Sequence, residues 1–308
     1  MEKKDLAIIG AGIAGIASGI YARRAGLTFE LFEKKTVGGQ LGFVGALDNY
    51  IGIVPGATGF ELVSSLNETL KKMDIPPRHE DVKKIAPGTG KITVHTEAGE
   101  YIFGAVIIAS GATWRTLGVA GEAEFLGKGV SYCAVCDGFF FKNKDVCVIG
   151  GGNTAVEEAL YLSRLCNKVY LIHRRDRLRA LDYLQKELTE TKNIEVCLES
   201  ELTQIKGDAF VEEVTARKKD GTVFRFSVNG VFIAIGMEPA TGFFRDVVAC
   251  DEHGFIISDE EMSTSQKGIF SCGDCRRRPL RQLITAAGEG AVAAMSAYRY
   301  LKGNYISS

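Results

Sequence analysis

The stretch S131-Y-C-A-V-C-D-G138 sets two sulfurs three positions apart, with a carboxylate directly after them. Three chemistries use such a pair: a metal clip, a structural disulfide, or a dithiol that cycles between oxidised and reduced forms. Zinc would want two more Cys or His ligands, and Cys272-Gly-Asp-Cys275 offers a second C-x-x-C. There, however, Gly273-Asp274 follows the strand-like run G268-I-F-S271 in a pattern that suits a bound cofactor, with which a metal would compete; no metal is expected. A static disulfide is disfavoured in a reducing cell, whereas a C-x-x-C pair can lower a thiol pKa to ~7 or below and turn over. The redox reading of Cys133 and Cys136 therefore prevails. Reducing a disulfide leaves a thiolate that must be protonated, so an acid must lie within hydrogen-bond reach. None of His79, His95, His173 and His253 is near the pair in sequence, which makes Asp137 the candidate acid, with Cys272 and Cys275 expected to be bystanders.

Two copies of one nucleotide-binding pattern surround the pair. D5-L-A-I-I9 reads as a strand, G10-A-G-I-A-G15 as a phosphate turn, I16 to A25 as a helix and T28-F-E-L-F32 as the next strand. Gly10 permits the turn, Gly12 lets backbone approach a pyrophosphate, and Gly15 lets helix and strand pack closely. Glu33 then stands where an acid accepts hydrogen bonds from a ribose. The pattern returns in D145-V-C-V-I149 and G150-G-G-N-T-A155, where T154-A-V-E157 reads as a capping box opening a helix to C166, and K168-V-Y-L-I172 follows. At the ribose offset this copy carries His173, Arg174 and Arg175, with Arg179 in the same loop. Guanidinium groups there welcome a 2′-phosphate, which selects NADP over NAD. FAD in the first module and NADPH in the second is the economical assignment, because nicotinamide can then pass hydride to a flavin. K91-I-T-V-H-T96 and V223-F-R-F-S227 read as hairpin strands decorating the modules, and A105-V-I-I-A-S-G-A112 is echoed by G230-V-F-I-A-I-G-M237.

The totals agree with a two-domain α/β chain. At 308 residues it is long for one domain, and 46% hydrophobic content with 6 prolines describes an ordinary folded protein. A net charge of −1 gives no electrostatic case for nucleic acid or an anionic membrane. The apolar opening is broken by glycines at nucleotide-turn spacings, which argues against a signal peptide, and no stretch nears the ~20 apolar residues of a membrane span. Eight cysteines in a chain this long suit a cytoplasmic location.

G10-A-G-I-A-G15, G38-G-Q-L41, D48-N-Y50, C133-A-V-C-D137, G150-G-G-N-T-A-V-E-E158, H173-R-R-D176 and G273-D274 with R281-Q282 together resemble the low-molecular-weight, bacterial-type thioredoxin reductases, a branch of the pyridine nucleotide disulfide oxidoreductases. The resemblance implies two Rossmann-like domains, with an NADPH domain at about 114–244 inserted into an FAD domain made of 1–113 and 245–308. It implies that Gly10, Gly12, Gly15 and Glu33 hold the adenosine and pyrophosphate of FAD. Gly38, Gly39, Gln40, Leu41 and Asn49 would line the flavin, Val82 the adenine and Asp274 the ribityl chain, with Arg281 and Gln282 beside the ring. Gly152, Asn153, Thr154, His173, Arg174, Arg175 and Arg179 would hold NADPH. Cys136 would face the flavin, thioredoxin would be the partner, and the chain would be a homodimer whose insert rotates between partners. C272-G-D-C275 and R276-R-R278 depart from that pattern.

Related folds give the alternatives. Ferredoxin:NADP reductases of this type lack the cysteine pair, ferredoxin-linked disulfide reductases lack the phosphate-reading arginines, and a redox sensor would keep the cofactors without turnover. Another small dithiol protein, or a small-molecule disulfide, is the other possible substrate.

Overall fold

The structure, a computed structural model, describes residues 4–44, 47, 49–54 and 56–303, so Asp48 lies outside the described residues. The chain begins with β1 (Lys4–Ile9), α1 (Ile13–Arg24), β2 (Phe29–Phe32), α2 (Gly59–Lys72), β3 (Pro77–Arg78), β4 (Val82–Gly88), β5 (Lys91–Thr96), β6 (Glu100–Ile108) and β7 (Ala112–Trp114). It continues through β8 (Val130–Ser131), α3 (Ala134–Asp137), β9 (Asp145–Ile149), α4 (Asn153–Ser163), β10 (Lys168–Ile172), α5 (Asp182–Glu190) and β11 (Ile194–Cys197). The remainder is β12 (Ser200–Gly207), β13 (Val211–Lys218), β14 (Val223–Ser227), β15 (Gly230–Ile233), β16 (Met237–Pro239), β17 (Ile269–Ser271) and α6 (Leu283–Leu301).

These elements form two compact units, one of Met1–Thr113 with Glu238–Ser308 and the other of Trp114–Met237. The second crossing thus falls at 237/238, ahead of the expected 244/245. The reason is packing: Phe244 is buried in the first unit's core, and the Ala240 N–H donates to Gly111 O within that unit.

In the first unit β3, β2, β1 and β6 run parallel, β17 joins the second half of β6, and β4, β5 and β6 form an antiparallel ribbon. A parallel strand is covered on both faces, so it must be apolar at every position. Along β6, Ile107 enters one cluster while Val106 and Ile108 enter the other. Such residues contribute ~1.5–3 kcal/mol each on burial. Helix α6 lies against α1 at van der Waals distance, because Gly290 presents no side chain: a Cβ there would meet Ala14 O at 2.2 Å.

The second unit repeats the plan, with a parallel sheet ordered β11-β10-β9-β15-β8 and an antiparallel meander β12-β13-β14. Along β9, Val146 and Val148 pack under α4, while Cys147 and Ile149 face the meander's apolar side. Among the described residues no helix is long and apolar enough to cross a membrane.

Candidate redox and dinucleotide sites

Strand β8 delivers the chain into α3, and Cys133 is the N-cap of that short helix, its Sγ accepting from the Cys136 N–H at 3.2 Å. One turn of helix brings positions three apart together, and Cys133 and Cys136 are joined as a disulfide with Cα atoms 5.3 Å apart. Sulfurs bonded to each other are not available as a thiolate metal clip. Ser131 Oγ donates to Asp137 Oδ2 at 2.6 Å and accepts from the Cys133 N–H at 3.0 Å, tying the acid to the disulfide turn. Burial pushes the Asp137 carboxyl above the ordinary aspartate range, against the pull of the Ser131 hydroxyl. It therefore keeps a proton to higher pH than a surface aspartate.

In the first unit the leading glycines of G10-A-G-I-A-G15 are needed for different reasons. Gly10 has φ +105°, and a Cβ on it would lie 2.4 Å from Ala109 O; a Cβ on Gly15 would lie 1.8 Å from Gly10 O. Gly12 caps α1, and a Cβ on it would meet nothing within 4 Å. That open face sits over the first amides of α1, where a pyrophosphate would be received. Glu33 Oε2 accepts from the Ala11 N–H at 2.8 Å and Oε1 from the Lys35 N–H at 2.8 Å, so the acid braces the glycine turn. Glu33 and Val82 line one cleft with Gly10 and Phe243. Gly38 and Gly39 have φ of +93° and +56°, and the Gly38 N–H donates to Ala11 O at 2.8 Å, which brings the second loop against the first. Leu41 is buried beneath it, and the Gln40 side chain donates to Ala112 O. Asn49 Nδ2 donates to Gln282 Oε1 at 3.1 Å.

Asp274 follows β17 in a short 3-10 turn, Gly273–Cys275. Its Oδ1 is shut from solvent without a hydrogen-bond partner, and Arg278 Nη1 stands 3.6 Å away. Burial raises its pKa, against the pull of Arg278 and Arg281. A buried acceptor left open in this way is a place for a ligand hydroxyl. The Arg281 guanidinium carbon stands over the Phe255 ring, 4.1 Å from its centroid. The run R276-R-R278, unexplained by sequence, has its partner on α6: Glu289 meets Arg276 Nη1 at 2.8 Å and Arg278 Nη1 at 3.2 Å, and it accepts from the Gly273 N–H at 2.8 Å. Cys272 and Cys275 are fully buried in different clusters, one on each face of the sheet. Burial pushes the Cys275 thiol up to about 12 and Cys272 still further. Neither is poised as a thiolate. Replacing Cys272 by Ala and Cys275 by Val should leave disulfide-reducing turnover within about threefold, measured at full flavin content.

In the second unit Gly150 has φ +155°, and Gly152 caps α4 with nothing within 4 Å of a Cβ. The expected capping box at Thr154–Glu157 does not form. Gly152 is the N-cap, without a side-chain cap, and the helix ends at Ser163 rather than near Cys166. Asn153 Oδ1 instead accepts from the Leu181 N–H at 3.0 Å, which leaves the first amides of α4 uncovered beside exposed Thr154. His173 is buried under the turn: a Cβ on Gly151 would strike its ring at 2.3 Å. Its Nε2 has no hydrogen-bond partner, and burial, with Arg179, Arg175 and Arg174, holds the imidazole below its ordinary pKa against a backbone hydrogen bond at Arg177. Arg174, Arg175 and Arg179 are exposed, and among the described residues no carboxylate pairs with them. Three unpaired guanidiniums near an uncapped helix start suit an anion.

Sequence reasoning missed Ser131, Glu158 and Glu289. The first was visible as a hydroxyl two residues before Cys133; nothing local marks the acids, whose partners lie on other elements.

A family model described as pyridine nucleotide-disulphide oxidoreductase matches residues 4–290. A thioredoxin reductase of Listeria monocytogenes is 40% identical over 302 residues, covering 97% of this chain and 94% of that one. A thioredoxin reductase of Treponema pallidum is 40% identical over 298 residues, covering 96% and 97%. The crystal structure of thioredoxin reductase from Streptococcus pyogenes superposes with a TM-score of 0.93 at 40% identity, over 98% of this chain and 99% of the other.

Proposed function

Because the chain belongs to the pyridine nucleotide-disulphide oxidoreductase family, we propose that it passes electrons from NADPH, by way of FAD and the Cys133–Cys136 disulfide, to the disulfide of thioredoxin. The observation that carries this reading is the closed disulfide on a helical turn to which Ser131 ties the half-buried Asp137, whose carboxyl is held above the ordinary aspartate range.

The residues fit both cofactors. Gly12, Glu33, Gly39 and the open Asp274 Oδ1 would hold FAD, with Val82 beside the adenine and Arg281 and Gln282 near the ring. Gly152, Asn153 and Thr154 at the start of α4, with Arg174, Arg175 and Arg179, would hold NADPH. FAD, when bound, links a hydride donor to a disulfide acceptor. The protein's own part is acid–base and exchange chemistry. Two electrons and two protons convert the Cys133–Cys136 bond into two thiols, and Asp137, tied to the same turn through Ser131, would supply one proton. One thiolate then attacks the partner's disulfide, forming a mixed disulfide and releasing one partner thiol. The other thiolate attacks that bond, restores Cys133–Cys136 and releases the second. The family resemblance adds a cytoplasmic homodimer with Cys136 on the flavin side.

The test is NADPH-dependent reduction of thioredoxin, read with a disulfide dye. In the same assay Arg174→Ala with Arg175→Ala should raise the KM for NADPH roughly 10- to 100-fold and leave NADH nearly unchanged, since only the 2′-phosphate loses charge-assisted contacts. Equal losses with both nucleotides would reject the arginine assignment. No thioredoxin reduction by the flavin-loaded wild type would reject the substrate.

A further inference from the structure

Helix α4 brings to the disulfide turn a carboxyl that the reaction above leaves unused. Glu158 Oε1 lies 3.4 Å from the Ala134 N–H, which donates to it, and Ala134 directly follows Cys133. Glu158 Oε2 is shut from solvent with no hydrogen-bond partner. The Ala134 nitrogen is four bonds from Cys133 Sγ, which puts the carboxyl within roughly 8 Å of that sulfur. Burial pushes Glu158 up to about 7; the Ala134 N–H pulls it down and Glu157, next on α4, pushes it up again. On α3 and its N-cap, packed against α4, the titratable groups are Cys133, Cys136 and Asp137. No charged group on α5, β9, β10 or β11 adds to these influences.

We propose that Glu158 is a positioning residue for the redox pair, whose charge, anchored on the first amide of α3, sets how readily the reduced cysteines ionise. The inference rests on the redox reading of Cys133 and Cys136. When Glu158 is ionised, a thiolate beside it is a second negative charge in a partly dry site, and it occupies an amide that could otherwise favour the thiolate. When Glu158 is protonated, the penalty disappears. The reverse linkage also holds: as the disulfide takes up two electrons and a thiolate forms, Glu158 binds a proton from solvent, keeping the local charge balanced. Two charges ~8 Å apart at an effective dielectric of ~20 would alter proton affinity about thirtyfold. Partial exposure brings this to roughly three- to tenfold.

The experiment uses the complete flavoprotein, reduced with dithiothreitol and freed of it. Iodoacetamide modification is then followed from pH 6 to 10, with mass spectrometry assigning label to Cys133 or Cys136. In Glu158→Gln the more reactive thiol should be modified three- to tenfold faster than wild type near pH 7.5. The two profiles should converge by about pH 10, where the thiol is ionised in both. Glu158→Met, uncharged and of similar length, should give the same displacement, and Glu158→Asp should stay within about twofold of wild type. Retained flavin and an unchanged melting profile mark variants as folded. Coincident profiles for wild type, Gln and Met would overturn the inference, as would a rate gain of equal size at every pH, which signals a loosened turn. Thioredoxin plays no part here, so a shifted profile without thioredoxin turnover counts against the proposed substrate and not against Glu158.

Discussion

Replacing either Cys133 or Cys136 by serine should lower NADPH-dependent thioredoxin reduction by roughly three orders of magnitude or more, while flavin content stays at wild-type level. The two sulfurs share one helical turn and one disulfide, so each is the other's exchange partner. A lone thiol can attack a partner disulfide, but the reaction stops at the mixed disulfide because nothing remains to release it. The variant that keeps the attacking sulfur should therefore accumulate an equimolar, dithiothreitol-sensitive adduct with thioredoxin. Asp137→Asn adds a pH signature. With its pKa raised by burial, Asp137 holds its proton at low pH and loses it as pH rises through that elevated value. Wild-type turnover should fall along an alkaline limb, and the Asn variant should be slower and lack that limb. Steady-state rates across pH, with gel analysis of adducts, decide the matter. Full turnover in either serine variant would reject the dithiol route.

Removing the carboxylate of Glu289 should cost about 3–5 kcal/mol of stability. Arg276 and Arg278 have side chains only 12% and 3% exposed, and both rely on Glu289. Glu289→Leu leaves the nearly dry Arg276 without a counter-charge, Arg278 with only Asp274, and the Gly273 N–H without its acceptor. Arg278 would then turn to Asp274, already 3.6 Å away, and occupy the acceptor proposed for the ribityl chain. Loss of bound flavin should accompany the lower denaturant midpoint. Adding Arg276→Met and Arg278→Met to Glu289→Leu should recover much of the stability, because a whole buried ion cluster can be exchanged for apolar side chains at little cost. A midpoint for Glu289→Leu that matches wild type would show the cluster to be dispensable.

What could be read before folding follows from how local each signal is. The runs D145–I149, K168–I172 and V223–S227 appear as β9, β10 and β14, because strand identity is written in consecutive residues. The glycine turns were equally plain, since their φ demands fall within six residues. The helix start at residue 154 was misplaced for a physical reason: Thr154 and Glu157 have the right types and spacing, yet a fingerprint glycine two residues earlier takes the cap. At Thr58 and Glu61, in contrast, a reciprocal box does form, with the Thr58 N–H reaching Glu61 Oε2 at 2.7 Å. Glu158 and Glu289 escaped notice because their partners lie 24 residues away at Ala134 and 11 to 16 away at Arg278, Arg276 and Gly273. An acid on a helix looks solvated until a second element covers it.

The open glycines at the two helix starts also offer genetic handles. A Cβ on Gly12 or on Gly152 would meet no atom within 4 Å. Alanine at such a cap lowers helix stability by about 1 kcal/mol or less, yet it plants a methyl group where, on the proposed assignment, a pyrophosphate would come close. Each allele would thus blind one module to its nucleotide while the scaffold still folds. Under the cofactor assignment proposed above, a strain carrying Gly152→Ala would make a yellow protein disconnected from its electron supply, whereas Gly12→Ala would yield a colourless one still able to grip the donor. Compared with a deletion strain, such a pair would separate the burdens of lost catalysis from those of a missing protein.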